Sequence, residues 1–117
     1  MLGIKYKQRE IVLVPFPYSD LTNTKRRPVL IVSNDEYNAA FQDVVVCVIT
    51  SNLNTDIYSV ALENNDLEIG SLPESSVVKT HKLFTIHQTK IIRKFSIVKA
   101  EYFIEIADKI KDLIEQK

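Results

Sequence analysis

Three polar stretches of the chain hold side chains that could act on a phosphate ester. The longest, Phe16-Pro17-Tyr18-Ser19-Asp20-Leu21-Thr22-Asn23-Thr24-Lys25-Arg26-Arg27-Pro28, lies between two apolar runs and ends its polar part in three consecutive cations. Loops of this kind commonly carry binding groups, because a rigid sheet positions them while their backbone stays in water. Pro28 biases Arg27 toward an extended backbone, and a guanidinium fixed in that way can contact a phosphate through two N–H groups at once. The alternative is an arginine that simply faces solvent. In the second stretch, Thr50-Ser51-Asn52, hydroxyls follow directly on an apolar run. They can donate to phosphate oxygens or merely begin a turn. The third stretch is Lys79-Thr80-His81-Lys82. At the two-residue period of a strand, Lys79 and His81 share a face, so a cation and a titratable imidazole point the same way. A single histidine is equally a common structural residue.

Other chemistries find little support. His81 and His87 have no metal-ligand spacing to a cysteine or an acidic cluster, so no metal is expected. Gly3 and Gly70 are the only glycines, too few for a Gly-rich phosphate loop, and there is no nucleophile elbow. The one cysteine, Cys47, sits inside an apolar run and reads as a small core residue, leaving no disulfide framework. No cofactor is implied.

Fifteen basic residues balance fifteen acidic ones, which excludes strong attraction of the whole protein to polyanions. The distribution is uneven, however. Residues 51–74 carry five acids and no Lys or Arg, residues 75–100 carry six bases and no acid, and the first 34 residues add six bases against Glu10 and Asp20. Such segregation gives a neutral protein one positive face, unless acidic and basic strands lie side by side and cancel. No apolar run approaches the ~20 residues of a membrane span, and the polar start has no signal-peptide core behind it. The expectation is one soluble, cytoplasmic domain over residues 1–117.

The elements that must position these groups are mostly strands. Residues 28–32 and 44–49 are β-branched runs, apolar on both faces and therefore central. Residues 11–16 form another run, with Pro15 and Pro17 marking an edge or exit. Weaker segments at 57–62, 76–78, 83–86 and 91–92 complete the set, and residues 35–41 suit one or two helical turns capped by Asn34 or Asp35. From Ser96 as N-cap, Ala100, Phe103, Ile106, Ala107, Ile110, Leu113 and Ile114 recur at three- and four-residue steps, which predicts an amphipathic helix of about five turns. Short strands followed by one helix predict a mainly β fold: a small, strongly bent antiparallel barrel with an appended C-terminal helix.

Two segments, Glu10-Ile11-Val12-Leu13-Val14-Pro15-Phe16-Pro17-Tyr18-Ser19-Asp20 and Lys25-Arg26-Arg27-Pro28-Val29-Leu30-Ile31-Val32-Ser33, resemble the PemK/MazF toxins of bacterial toxin–antitoxin pairs. Val46-Cys47-Val48-Ile49-Thr50-Ser51 and the run from Ser76 to Ile86 resemble two further stretches of that family, in the same order. The resemblance implies an SH3-like barrel, a homodimer, a cognate acidic antitoxin, and a metal-independent endoribonuclease that cuts single-stranded RNA. By position, Arg27 matches the family's catalytic arginine and Thr50 its catalytic threonine. His81 stands where members often carry Asp or Glu, and is the third candidate catalytic group. Ser19, Asp20, Arg26, Ser51, Lys79 and Lys82 are the expected RNA contacts. Many members open the first strand with Gly-Asp, where this chain has Arg9-Glu10. The alternative from another class is a non-catalytic SH3-like toxin or binding module gripping a protein such as DNA gyrase. That reading would depend on the C-terminal helix, and the chain has no tryptophan.

Overall fold

The structure is a computed structural model that describes residues 6–16 and 25–117. In chain order its elements are β1 (Glu10–Phe16), β2 (Lys25–Ile31), α1 (Asp35–Ala40), β3 (Asp43–Thr50), β4 (Ser59–Leu62), β5 (Leu67–Ile69), β6 (Ser76–His87), β7 (Arg93–Val98) and α2 (Ala100–Ile114). The strands form one antiparallel sheet in the order β4-β6-β3-β2-β1-β7-β5. The outermost strands, β4 and β5, are consecutive in sequence and joined only through residues 63–66, part of which is a 3₁₀ turn. Laid flat, seven strands would put those edges roughly 29 Å apart, whereas so short a link reaches at most roughly 18 Å. The sheet must curl. The expected bent barrel follows from this connection.

The central runs bury both faces, as their composition requires. One cluster joins Ile11, Leu30, Cys47, Ile49, Val78 and Val98 to Tyr102 and Ile106 of α2. The alternate residues Val12, Val14, Val29, Ile31, Val44 and Val46 form a second cluster with Ile91. Pro15 is tolerated in β1 because the pairing of β1 with β7 ends at Leu13, so its missing donor costs no ladder bond on that side. Asn34 caps α1, its side chain accepting from the Tyr37 amide at 2.8 Å. No helix among the described residues is long and apolar enough to cross a membrane.

Three sequence expectations need correction. The C-terminal helix starts after Lys99, not after Ser96, which lies buried within β7 opposite Ile11. The free edge of β1 needs a partner strand, and residues 93–98 supply it before the helix can begin. The buried stripe of α2 is also rotated. Tyr102 and Ile106 are its deepest residues, Phe103 and Ile110 flank them, and Ala107 is exposed. Further back, the segments at 76–78 and 83–86 are one long strand. Its register on β3 jumps between Cys47↔Leu83 and Val48↔Lys79, so Thr80, His81 and Lys82 bulge out of the pairing.

The first strand is entered through a strained residue. Arg9 has φ +79°, the left-handed region that suits glycine. Its amide donates to the Ile31 carbonyl at 3.0 Å and its Nη1 to the Val98 carbonyl at 2.9 Å, so both ends of the residue are held. The adjacent Glu10 carboxylate is buried, accepting from the Lys7 amide at 2.8 Å and from Lys94 Nζ at 3.1 Å.

Two stability outcomes follow. Ile106→Ala empties a fully buried site and should cost about 2–5 kcal/mol in urea denaturation, whereas Ile104→Ala, 62% exposed, should stay within about 0.5 kcal/mol. A small loss at Ile106 would mean that α2 does not dock as described. At position 9, Arg9→Gly should be more stable than Arg9→Ala by about 1 kcal/mol, since both lose the same contacts and only alanine keeps the strain. The reverse order would show that the backbone leaves the left-handed region.

Candidate nucleic-acid cleavage site

Arg27 begins the apolar part of β2 and Thr50 ends β3. These strands pair with Val29 opposite Val48, and the same register carried two places further sets Arg27 across from Thr50. Both residues line two adjoining clefts at this end of the sheet. The larger, of about 1020 Å³, also takes in Lys25, Arg26, Ser51 and Arg93, and is walled in part by the segment 70–76. The smaller, of about 270 Å³, adds Asn52, Asn54, Lys79 and Lys82.

The Arg27 guanidinium is half-buried, and its Nε is fully enclosed with no hydrogen-bond partner among the described residues. None of the ion pairs among those residues involves it either. A buried donor left without a partner costs about 1–3 kcal/mol, which a ligand oxygen would recover. Thr50 does begin a turn, its Oγ1 accepting from the Asn52 amide at 3.1 Å. That bond uses a lone pair and leaves the hydroxyl proton to donate. Phosphate binding and turn formation are therefore compatible at Thr50.

Lys79 and His81 both turn toward the segment 54–59, with Thr80 buried between them. Lys79 Nζ donates to the Asn54 carbonyl at 2.7 Å and to Ser59 Oγ at 3.1 Å, and pairs with Asp56 at 3.4 Å, so its three donors are committed within the chain. Asp56 is held below the usual carboxylate range, first by the Tyr58 amide and then by the Ser59 hydroxyl and Lys79. His81 packs at a tilt on the Tyr58 ring, centroids 6.0 Å apart, and its enclosed Nδ1 has no partner among the described residues. It lines neither cleft. Arg26, Ser51 and Lys82 are exposed and face the clefts, while Ser19 and Asp20 lie outside the described residues.

Sequence reasoning named Lys25 only as one of three consecutive cations and did not single out Arg93 or Glu74. Arg93 reaches the large cleft through β1, because Leu13 pairs with Pro28 on one side and Arg93 on the other. The basic bias of residues 75–100 was its only trace in sequence. Glu74 arrives on the wall segment, for which no local pattern gives a position. Cys47 takes no part: burial pushes its thiol up to about 12, which removes the nucleophilic thiolate at neutral pH. Among the described residues no cluster of His, Cys, Asp and Glu could hold a metal ion. A fixed cation, a donating hydroxyl and surrounding positive charge form a site suited to a phosphodiester.

Similar arrangements of the chain are known. An endoribonuclease in complex with its cognate antitoxin from a mycobacterial species superposes with a TM-score of 0.78 at 18% identity, covering 97% of this chain and 100% of that one. A MazE–MazF structure from Deinococcus radiodurans gives 0.77 at 19% identity, covering 98% and 100%. The Mycobacterium tuberculosis toxin MazF-mt6 gives 0.75 at 21% identity, covering 93% and 99%. At such identities the likeness establishes the fold. No curated protein matches the chain in sequence. The sequence profile of the family described as PemK-like, MazF-like toxin of type II toxin–antitoxin system matches residues 7–114, nearly the whole chain. By that match and by its barrel, the chain belongs to the PemK-like, MazF-like toxins of type II toxin–antitoxin systems.

Proposed function

We propose that this toxin is a metal-independent endoribonuclease that cuts single-stranded RNA through the RNA's own 2′-hydroxyl. The observation that carries the reading is the placement of Arg27 and Thr50 across neighbouring strands, lining both clefts, with no protein counter-ion to Arg27 among the described residues. The 2′-hydroxyl gives up its proton as its oxygen attacks the adjacent phosphorus, the bond to the 5′-oxygen breaks as that oxygen takes up a proton, and the products are a 2′,3′-cyclic phosphate and a 5′-hydroxyl. Negative charge grows on the non-bridging oxygens in the transition state. Arg27 supplies fixed positive charge there, and the Thr50 and Ser51 hydroxyls donate to the same oxygens; one such donor is worth roughly 10²–10³ in rate. DNA lacks the nucleophile and is not cut.

Arg26, Lys25, Lys82 and Arg93 draw the RNA backbone into clefts that the neutral whole would not attract. Lys79 acts on the substrate through the segment it ties down, which carries Asn52 and Asn54 to the smaller cleft. His81, set against Tyr58, is a positioning residue of that same segment. The family's antitoxin partnership, seen in the mycobacterial and Deinococcus complexes, suggests that an acidic antitoxin segment competes for these cations. A homodimer would extend the groove across two copies.

The test is cleavage of a labelled single-stranded RNA. Arg27→Ala should lose at least about 10²-fold in rate with an unchanged circular dichroism spectrum, and Arg27→Lys should recover little, since an ammonium cannot fork onto two oxygens. Full activity in Arg27→Ala removes the mechanism; inhibition of DNA supercoiling by a wild type that leaves RNA intact points instead to a gyrase-type target.

His81 is separable by its pH profile. His81→Ala should raise KM more than it lowers kcat, and single-turnover rates from about pH 5 to 9 should keep the wild-type shape. Loss of a limb in the histidine range on this substitution would place His81 in the chemistry.

A further inference from the structure

We propose that the large cleft contains a nucleobase subsite in which Glu74 selects guanine, a reading that rests on RNA being the substrate. Glu74 is the one carboxylate among the described residues lining a cleft that also holds Lys25, Arg26, Arg27 and Arg93. It forms no ion pair with any of them, and its side chain has no hydrogen-bond partner among the described residues. A phosphate would be repelled by this group. What it can accept is an N–H edge.

The wall that carries Glu74 is firmly held. Gly70 has φ +92°, and a Cβ there would lie 2.6 Å from the Phe95 carbonyl oxygen and 2.7 Å from Ser96 Cβ, so the segment is pressed onto β7 at the point where Phe95 stands. Two residues on, Leu72 enters the core and its amide donates to Asn64 Oδ1 at 2.7 Å. Beyond Glu74, Ser75 Oγ donates to Glu63 at 2.7 Å. In the same cleft the Arg93 guanidinium lies over the Phe95 ring, 5.6 Å from its centroid. An arginine plane supported on an aromatic ring is a stacking surface for a base.

A stacked, single-stranded base presents its Watson–Crick edge sideways. An ionised carboxylate accepts only. Guanine offers it two adjacent donors, N1–H and the N2 amino group. Adenine and cytosine offer one amino group beside a ring acceptor, and uracil offers one N–H between two carbonyls. Guanine alone meets both oxygens without a repulsive neighbour.

The experiment uses fluorescein-labelled 2′-O-methyl pentamers UUNUU, which cannot be cut and in which the single variable base chooses its own subsite. Anisotropy titrations at fixed salt should show UUGUU binding about tenfold tighter than UUUUU, the lower range of a bidentate base contact. Glu74→Gln should erase that preference while leaving affinity for UUUUU equal or higher, because it removes a negative charge from a cationic cleft. Arg93→Ala should weaken all four pentamers alike. Equal binding of the four by the wild type, or a guanine preference that survives Glu74→Gln, overturns the subsite. Unmodified RNA that is bound with guanine preference but never cut overturns the ribonuclease reading and leaves the subsite standing. RNA that is cut with no guanine preference at any position near the break overturns the subsite alone.

Discussion

A link of four residues between the two edges of the sheet sets the shape of this molecule. Because β4 and β5 follow each other directly yet occupy opposite edges, hydrogen bonding along the sheet can be satisfied only if it curls. The curl then brings together segments that have no reason to meet in sequence. It sets Arg93 on β7 and the wall of residues 70–76 around the same cleft as the ends of β2 and β3. Without closure Arg27 and Thr50 would still be neighbours, but on an open surface where water competes with every contact.

Positive charge is concentrated at that end of a protein whose formal charge is zero. Like charges crowded into a cleft repel, so the arrangement opposes folding and favours a polyanion that relieves it. The other cations illustrate the contrast. Lys94 neutralises the buried Glu10, Arg9 meets Glu68 at 3.4 Å, and Lys79 secures Asp56, so these three are occupied in holding chain segments together. Lys25, Arg26, Arg27, Lys82 and Arg93, which line the clefts, have no such partners among the described residues. The division between structural and available charge is set by geometry rather than by composition.

The bulge in β6 has a comparable effect on the third polar stretch. Displacing Thr80, His81 and Lys82 from the β3 register lets the Thr80 hydroxyl donate to the Tyr58 carbonyl at 2.7 Å and carries the imidazole onto the Tyr58 ring. Lys82 meanwhile swings to the smaller cleft. The bulge thus separates Thr80 from Lys82, two residues that even alternation would have kept on one face.

Some of this was legible in the amino-acid order. Residues 28–32 and 44–49 had to be central strands, because β-branched runs apolar on both faces are stable only with both faces covered. Pro28 and the end of the second run marked where Arg27 and Thr50 stand, and the three- and four-residue spacing of Phe103, Ile106 and Ile110 required a docked helix. These are local signals: chain stiffness, side-chain shape and period act within a few residues. The start of α2, the pairing of β7, the bulge at residues 80–82, the commitment of Lys79 and the entry of Arg93 and Glu74 into the cleft were decided only by the tertiary structure. Each depends on which distant strand lies alongside. A hydrogen-bonding edge or an unpaired charge has no fixed partner in the unfolded chain, and it gains one only when closure of the sheet has chosen its neighbours.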